Sequence, residues 1–197
     1  LATENARLYE EAHAHAKGLE VRVQERTAEL AALGSFLQAI IDHIPNPIFY
    51  KGPDLRFRGC NKAYEEAFGV LRASFVGKTV LELDYLPLSD RHAYQAEDAR
   101  VLAESSRIAR EAAMPFVDGQ VHQTLYAVSG FQDAEGQPLG LVGVIVDITP
   151  IREAQAALKA AHDEQAAIFE AVHSGIVLLQ DRVVRRCNGK LEQMLGY

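Results

Sequence analysis

Histidines and cysteines are the side chains with the clearest chemical capacity, and their spacing does not assemble a catalytic or metal site. His13 and His15 lie two positions apart, which on a helix turns their side chains about 200° away from each other, so they cannot share a metal ion. His162 lies in HDEQ, which lacks the basic and proline positions of a phosphoacceptor histidine. Cys60 and Cys187 belong to no CxxC or Cys/His cluster. Because Gly-rich phosphate loops, GxSxG and HExxH are also missing from the sequence, we expect no enzyme within this segment.

The composition excludes several other classes of protein. The formal net charge is −7, with Lys and Arg scattered among acidic residues, which argues against a nucleic-acid partner. The longest uncharged apolar stretch, Leu139 to Val146, is far shorter than the roughly 20 residues of a membrane span. Two cysteines do not make a disulfide scaffold, so we expect a reducing, cytoplasmic location. Residues 1–44 lack the features of a signal peptide and begin with Leu1, so we expect a segment of a longer protein.

A long helix is predicted before residue 45. From residue 2 to residue 44 the positions taken at alternating steps of three and four form a heptad pattern, which we call the N-terminal stripe. Gly34 followed by Ser35 predicts a break or a helix start within it. Flanking residues are nearly all charged or small, which favours a dimeric coiled coil over packing of the helix on its own domain. The stripe residues assigned to the dimer contact are Leu19, Val23, Leu30, Leu33, Leu37 and Ile40.

From Ile48 the pattern changes to the alternation typical of strands. Residues 48–51 and 55–60 predict a hairpin, and Asn61 and Gly69 predict the start and the end of a helix. A short amphipathic piece at 72–83 and a helix from Asp90 to Glu104 follow. Strands are then predicted at 108–116, 120–131 and 139–148, so the unit is α+β.

The end of the chain repeats its earlier part. Thr149 and Pro150 predict a second helix, with its own stripe from Ile151 to Val172. After it, VVRRCNGKLEQMLG at 183–196 corresponds to RFRGCNKAYEEAFG at 56–69, and both cysteines precede an Asn that predicts a helix start. We therefore expect a second copy of the same domain to begin here.

The segment IPNPIFYKGPDLRFRGCNKAYEEAFG, the VGKTVLEL piece at 76–83 and the closing GLVGVIVDIT together resemble the PAS family of bacterial sensory domains. The resemblance covers about residues 36–149. It implies a five-stranded antiparallel sheet in the order 2-1-5-4-3, with helices on one face enclosing a small cavity. The segment 1–12 looks like the closing helix of a GAF domain, and the segment 19–30 looks like a coiled linker.

The resemblance also implies a ligand cavity, whose occupant the sequence leaves open. One alternative is a haem held by His92. Another is a flavin bound without a covalent bond. Covalent flavin photochemistry is not expected, because it needs a cysteine directly after an asparagine, and Cys60-Asn61 has the reverse order. A small-molecule ligand and a core filled by its own side chains are the other two. The residues expected near the cavity are Phe49, Asn61, Tyr64, His92, Tyr94 and Tyr126.

The sequence therefore predicts a sensory and dimerisation module, with Asp147, Thr149 and Pro150 passing a change in the sheet to the second helix. A downstream output domain, a histidine kinase or a diguanylate cyclase, is expected in the longer protein. The alternative is a structural spacer that senses nothing. The expected divisions are a signalling helix at 1–34, a PAS domain at 35–149, a linker helix at 150–168 and the start of a second PAS domain at 169–197.

Overall fold

The structure, a computed structural model, describes the backbone of residues 2–196 and the side chains of residues 13 and 15–196. The chain divides into two compact units, residues 1–147 and residues 148–197. The first unit contains α1 (Ala2–Asp42), β1 (Ile48–Lys51), β2 (Phe57–Cys60), α2 (Lys62–Phe68), α3 (Arg72–Phe75), a 3₁₀ turn (Val80–Glu82), α4 (Leu88–Glu104), β3 (Arg107–Pro115), β4 (Val121–Gln132) and β5 (Pro138–Asp147). The second contains α5 (Thr149–Ala171), β6 (Val177–Gln180), β7 (Val183–Cys187) and α6 (Gly189–Leu195).

The first unit is built on one antiparallel sheet of five strands in the order β2-β1-β5-β4-β3. This order and the α+β class confirm the predicted architecture. Helix α4 packs on β4 and β5, and the core lies between the helices and that face of the sheet. The central strand β5 pairs with β1 and β4; Leu141 and Ile145 on one of its faces are buried in the core, whereas the valines on its other face are half-buried.

Helix α1 runs without interruption from Ala2 to Asp42. The break predicted at Gly34-Ser35 is therefore wrong. A glycine in a helix interior costs only about 1 kcal/mol, and good helix formers stand close by on both sides of Gly34, with AAL at 31–33 and LQA at 37–39. The side chains of the GAF-like segment 1–12 lie outside the described residues, so that resemblance stays a prediction.

The other helix ends depend on local chemistry that the sequence shows. The side chain of Asn61 accepts a hydrogen bond from the backbone N–H of Tyr64, and α2 ends at Gly69 with a left-handed φ of 65°, as predicted. Helix α4 begins at Leu88 after Pro87, two residues before the predicted start. Helix α5 begins at Thr149, as Thr149 and Pro150 predicted, with Ile148 at the N-cap position and Pro150 in the first turn. The predicted strands are all present, with ends that differ by one or two residues.

The second unit repeats the start of the first. Strands β6 and β7 form an antiparallel hairpin, and α6 follows with Asn188 as its N-cap and Gly196 as its left-handed C-cap. A two-stranded sheet buries little, so apolar side chains such as Leu179 and Val184 are exposed. Among the described residues of both units, no helix is long and apolar enough to cross a membrane.

Candidate functional site

An aromatic cavity lies between the sheet and the helices of the first unit. Phe49 on β1, Tyr64 on α2, Tyr94 on α4 and Tyr126 on β4 all line it, so the structure brings together four of the six residues expected there. The ring centroids of Phe49 and Tyr64 are 5.9 Å apart, and those of Tyr94 and Tyr126 are 5.1 Å apart. The remaining lining residues are Phe57, Phe68, Val80, Leu86, Met114 and Ile145.

The position of Phe49 depends on a glycine in the neighbouring strand. Phe49 pairs with Gly143 in β5, and a Cβ built on Gly143 would lie 2.1 Å from the Phe49 ring. The ring can therefore lie flat over the backbone of β5 only because Gly143 has no side chain. In this way the strand pairing places an aromatic ring at the floor of the cavity.

The cavity is almost filled by its own side chains. Its free volume is about 30 Å³, which is enough for a water molecule and far below the roughly 300–1,000 Å³ of ordinary ligand pockets. Tyr64 and Tyr85 face each other with their hydroxyl oxygens 2.9 Å apart. Burial raises the pKa of Tyr64 well above its ordinary value and that of Tyr85 to about 12, so both phenols stay protonated and the pair remains a neutral hydrogen bond.

A buried ion pair lies beside the aromatic cavity. Lys51, the last residue of β1, bonds through Nζ to Asp98 Oδ2 on α4, and the two side chains are 1% and 0% exposed. The ammonium also lies 4.3 Å from the centre of the Phe57 ring. Burial lowers the pKa of Lys51 and raises the pKa of Asp98, and the attraction between the two groups opposes both changes. The second oxygen of Asp98, Oδ1, is buried without a hydrogen-bond partner.

Sequence reasoning missed this pair. Lys51 precedes a Gly-Pro-Asp turn and Asp98 lies among charged neighbours, so both look like surface residues, and 47 positions separate them. The available signal was helical spacing, because Asp98 follows the buried Tyr94 by four positions and therefore lies on the same face of α4.

Asn61 is fully buried but belongs to a structural network instead of the cavity lining. Its Oδ1 accepts hydrogen bonds from the backbone N–H groups of Ile48 (2.8 Å) and Tyr64 (3.1 Å). Its Nδ2 donates to the backbone carbonyls of Ile41 (3.0 Å), Ile44 (3.0 Å) and Asn46 (2.9 Å). One amide therefore joins the end of α1, the start of β1 and the first turn of α2.

The same network recurs in the second unit. Asn188 is fully buried, and its Oδ1 accepts from the N–H groups of Ile176 (2.8 Å) and Leu191 (3.1 Å). Its Nδ2 donates to the carbonyls of Phe169 (3.1 Å) and Ser174 (3.0 Å). In both copies of the repeat, a buried asparagine thus connects the end of a long helix to the domain that follows it.

His92 and Cys60 do not form a cofactor site with the cavity. His92 is exposed on α4 and does not line the cavity, and a free volume of about 30 Å³ has no room for a porphyrin, so a haem held by His92 does not fit this arrangement. Cys60 is buried, and burial raises the pKa of its thiol to about 11. It therefore stays a thiol that packs as a small apolar side chain. A bound flavin ring system would need the same expansion of the cavity as a haem.

The residues assigned to signal transmission lie where the sheet becomes a helix. Asp147 is the last residue of β5, and only Ile148 separates it from Thr149, the first residue of α5. Asp147 Oδ2 is 2.8 Å from Nδ1 of His122, a residue that the sequence analysis did not select. The six side chains assigned to the dimer contact in the N-terminal stripe are exposed by 47% to 68%. The structure therefore leaves this apolar surface open along α1.

Comparison with known proteins identifies the family. A model described as the PAS fold matches residues 41–153, and a second model, described as PAS domain, matches residues 164–197. This chain belongs to the PAS family. The two matches agree with the internal repeat, since each begins within the end of a long helix and includes one of the two Asn-centred networks.

The PAS chain is similar to segments of large sensor proteins. It is 28% identical over 130 residues to the virulence sensor protein BvgS of Bordetella pertussis, which covers 65% of this chain and 10% of that protein. It is 26% identical over 144 residues to the aerobic respiration control sensor protein ArcB of Escherichia coli, covering 70% of this chain and 18% of that protein. This chain therefore spans a tenth to a fifth of the length of these relatives.

Solved structures show the same fold. The PAS domain of Bordetella pertussis BvgS matches with a TM-score of 0.55 at 25% identity, covering 69% of this chain and 98% of that one. A phage VqmA–DPO complex matches with a TM-score of 0.53 at 17% identity, covering 67% of this chain and 61% of that one. The homology to sensor-kinase PAS domains identifies the chain as part of a sensory signalling protein.

Proposed function

We propose that this chain is a relay and dimerisation module, which takes a signal from the cavity or from α1 and passes it through α5 to an output domain of the longer protein. A histidine kinase or a diguanylate cyclase is the proposed output, and the setting is cytoplasmic. The observation that carries the proposal is the direct attachment of a helix at each end of the sensory unit.

The upstream attachment is made by buried and half-buried polar groups. Asn61 holds the carbonyls at the end of α1, as described above. Asp42, the last residue of α1, accepts hydrogen bonds from the backbone N–H of Lys62 (2.9 Å) and from Nη2 of Arg72 (2.9 Å). A rotation of α1 would therefore act on α2, whose residue Tyr64 lines the cavity.

The downstream attachment is covalent and short. One residue joins β5 to α5, and α5 carries a stripe in which Ile151, Leu158 and Ile168 are 56%, 73% and 58% exposed. A change in the position of the end of β5 would therefore move the first turn of α5. If helix register carries the signal, inserting one residue near Ala157 in the full-length protein should disrupt output. An output that survives every insertion length would refute the relay.

The N-terminal stripe supports the proposed homodimer. A helix with an exposed row of large apolar side chains and no second apolar face is most stable when a second copy covers that row. We expect Leu30→Lys with Leu37→Lys to convert a dimer into a monomer, measured by light scattering after size-exclusion chromatography. Leu71→Lys is the matched control, since Leu71 is 73% exposed but lies outside α1. A native chain that is monomeric, or a double variant that remains dimeric, would refute this contact.

A structural spacer without a ligand is the second candidate function, and the small volume of the cavity favours it over a small-molecule sensor. Native mass spectrometry with an absorbance spectrum of the purified chain distinguishes the two. A bound mass or a cofactor band would show that the aromatic cluster opens to admit a ligand. A mass equal to that of the polypeptide after incubation with extracts of the source cells would favour the spacer.

A further inference from the structure

His122 lies between two carboxylates at the end of the sheet. Its Nδ1 is 2.8 Å from Asp147 Oδ2, and its Nε2 is 2.9 Å from Asp118 Oδ2. Asp118 belongs to the turn between β3 and β4, whereas Asp147 ends β5. The imidazole also stacks on the Phe116 ring, with 4.4 Å between centroids and 17° between planes. One ring therefore connects the β3–β4 turn to the strand that leads into α5.

A neutral imidazole cannot satisfy both carboxylates. It has one N–H donor and one acceptor nitrogen, whereas the imidazolium has two donors. Two carboxylates within 3 Å of the two ring nitrogens therefore suit the protonated ring, and the charged hydrogen bonds are stronger than neutral ones. When the proton leaves, one of the two carboxylates loses its hydrogen bond from His122 and its Oδ2 faces a nitrogen lone pair.

The β3–β4 turn is also in contact with the cavity wall. Phe116 packs against Phe68, a cavity-lining residue of α2, with 5.4 Å between ring centroids. The backbone N–H of Val117 donates to the carbonyl of Ala67 in α2 (2.8 Å). The arrangement thus forms a continuous set of contacts from the cavity helix through the turn and His122 to Asp147.

We propose that Asp118, His122 and Asp147 form a proton-binding site, in which protonation of His122 fastens the β3–β4 turn to the end of β5 and deprotonation releases it. The ligand is the proton, and the site gives the module a pH input separate from the aromatic cavity. Its effect on output rests on the proposed relay, but its proton binding and its local release do not.

The electrostatic surroundings agree with this geometry. Hydrogen bonds to Asp118 and then to Asp147 raise the pKa of His122 above its ordinary value of 6.5, and the negative charges of both carboxylates raise it further. His122 is mostly buried, with 18% of its side chain exposed, which leaves it accessible to proton exchange with solvent. Because the pKa of His122 is higher in the folded state than in the unfolded chain, protonated His122 stabilises the folded state fully below about pH 6.5. This stabilisation is lost as the pH rises through the pKa of the folded state.

The first test measures proton binding directly. In the full chain, the imidazole resonances of His122 are followed from pH 5 to pH 9 by NMR. We expect a midpoint above 6.5 that moves down in Asp118→Asn and in Asp147→Asn, and further down in the double variant. A midpoint at or below 6.5 in the native chain, or one unmoved by either substitution, would overturn the proposal. The native titration needs no variant, so a folding defect cannot obscure it.

The second test measures the release of the turn and the strand end. Hydrogen exchange of the amides at 117–122 and 145–147, corrected for the intrinsic pH dependence of exchange, should rise as His122 loses its proton. His122→Gln should abolish this rise, because glutamine does not titrate. His43→Gln, which alters an exposed histidine of the same unit, should keep it. The proposal fails if His122→Gln retains the native pH dependence.

The output of the full-length protein distinguishes this site from the relay. If the exchange result is as expected but kinase or cyclase output does not change with pH, the proton site stands and its coupling to the relay fails, while the insertions near Ala157 test the relay itself. If output survives helix insertions and exchange shows no pH dependence, both fail.

Discussion

The hydrogen-bond network of Asn61 offers the sharpest test of how the end of α1 is attached to the first unit. Asn61→Ala removes five hydrogen bonds from a fully buried position. Two of the five groups retain a second partner, since Tyr64 N–H also reaches the Asn61 carbonyl and the Ile41 carbonyl also accepts from Ile44 N–H, each at 3.2 Å. Three groups are left without a replacement. At about 1 kcal/mol for each net hydrogen bond, the expected loss is about 3 kcal/mol of the free energy of unfolding.

The assay is urea unfolding of the full chain, followed by near-ultraviolet circular dichroism of the buried tyrosines, which report on the first unit. Asn46→Ala is the matched control, because Asn46 contributes its backbone carbonyl to the network and this carbonyl remains after the substitution. We expect the control to change stability by less than about 0.5 kcal/mol, as for ordinary surface changes. A loss below about 1 kcal/mol in Asn61→Ala, or equal losses in the two variants, would refute the reasoning.

Two further predictions concern the core. Lys51→Met should lower the free energy of unfolding by about 3–5 kcal/mol, because it leaves the Asp98 carboxylate buried without its cation. The double variant Lys51→Met with Asp98→Leu should recover most of that loss in the same urea assay. Equal stability of the single and double variants would contradict this. Tyr64→Phe should lower the free energy of unfolding by about 1 kcal/mol because it removes the hydrogen bond to the Tyr85 hydroxyl, and Tyr85→Phe should lower it by a similar amount. Additive losses in the double variant would show that the two hydroxyls do not interact.

The architecture of the first unit could be predicted because it depends on local signals. Alternation of apolar residues marks each strand, and Asn61 and Gly69 mark the start and the end of α2. The order of the strands came from the family resemblance, and the structure confirms it. Phe49, Tyr64, Tyr94 and Tyr126 were expected near the cavity from the same resemblance, and the structure places all four in its lining.

The break at Gly34 was wrongly predicted because a local preference was given too much weight. A cost of about 1 kcal/mol is spread over a helix in which many residues each contribute a hydrogen bond, so one glycine does not end it. Asn61 shows the opposite case. Its role as a helix cap is visible in the sequence, whereas the three carbonyls that it holds from residues 41, 44 and 46 depend on the path of the chain between α1 and β1.

The sequence by itself determined the apolar row along the first helix from periodicity, the repeated domain from the correspondence of residues 183–196 with residues 56–69, and the family from the resemblance of its motifs. Only the tertiary structure decided which polar groups meet. Lys51 and Asp98 are 47 positions apart, and His122 and Asp147 are 25 positions apart. No local pattern relates such residues, because their contact is set by the pairing of strands and the packing of α4. The filled cavity is decided in the same way, since its volume is what remains after side chains from all five strands, α2, α4, the 3₁₀ turn and the loop before α4 have packed together.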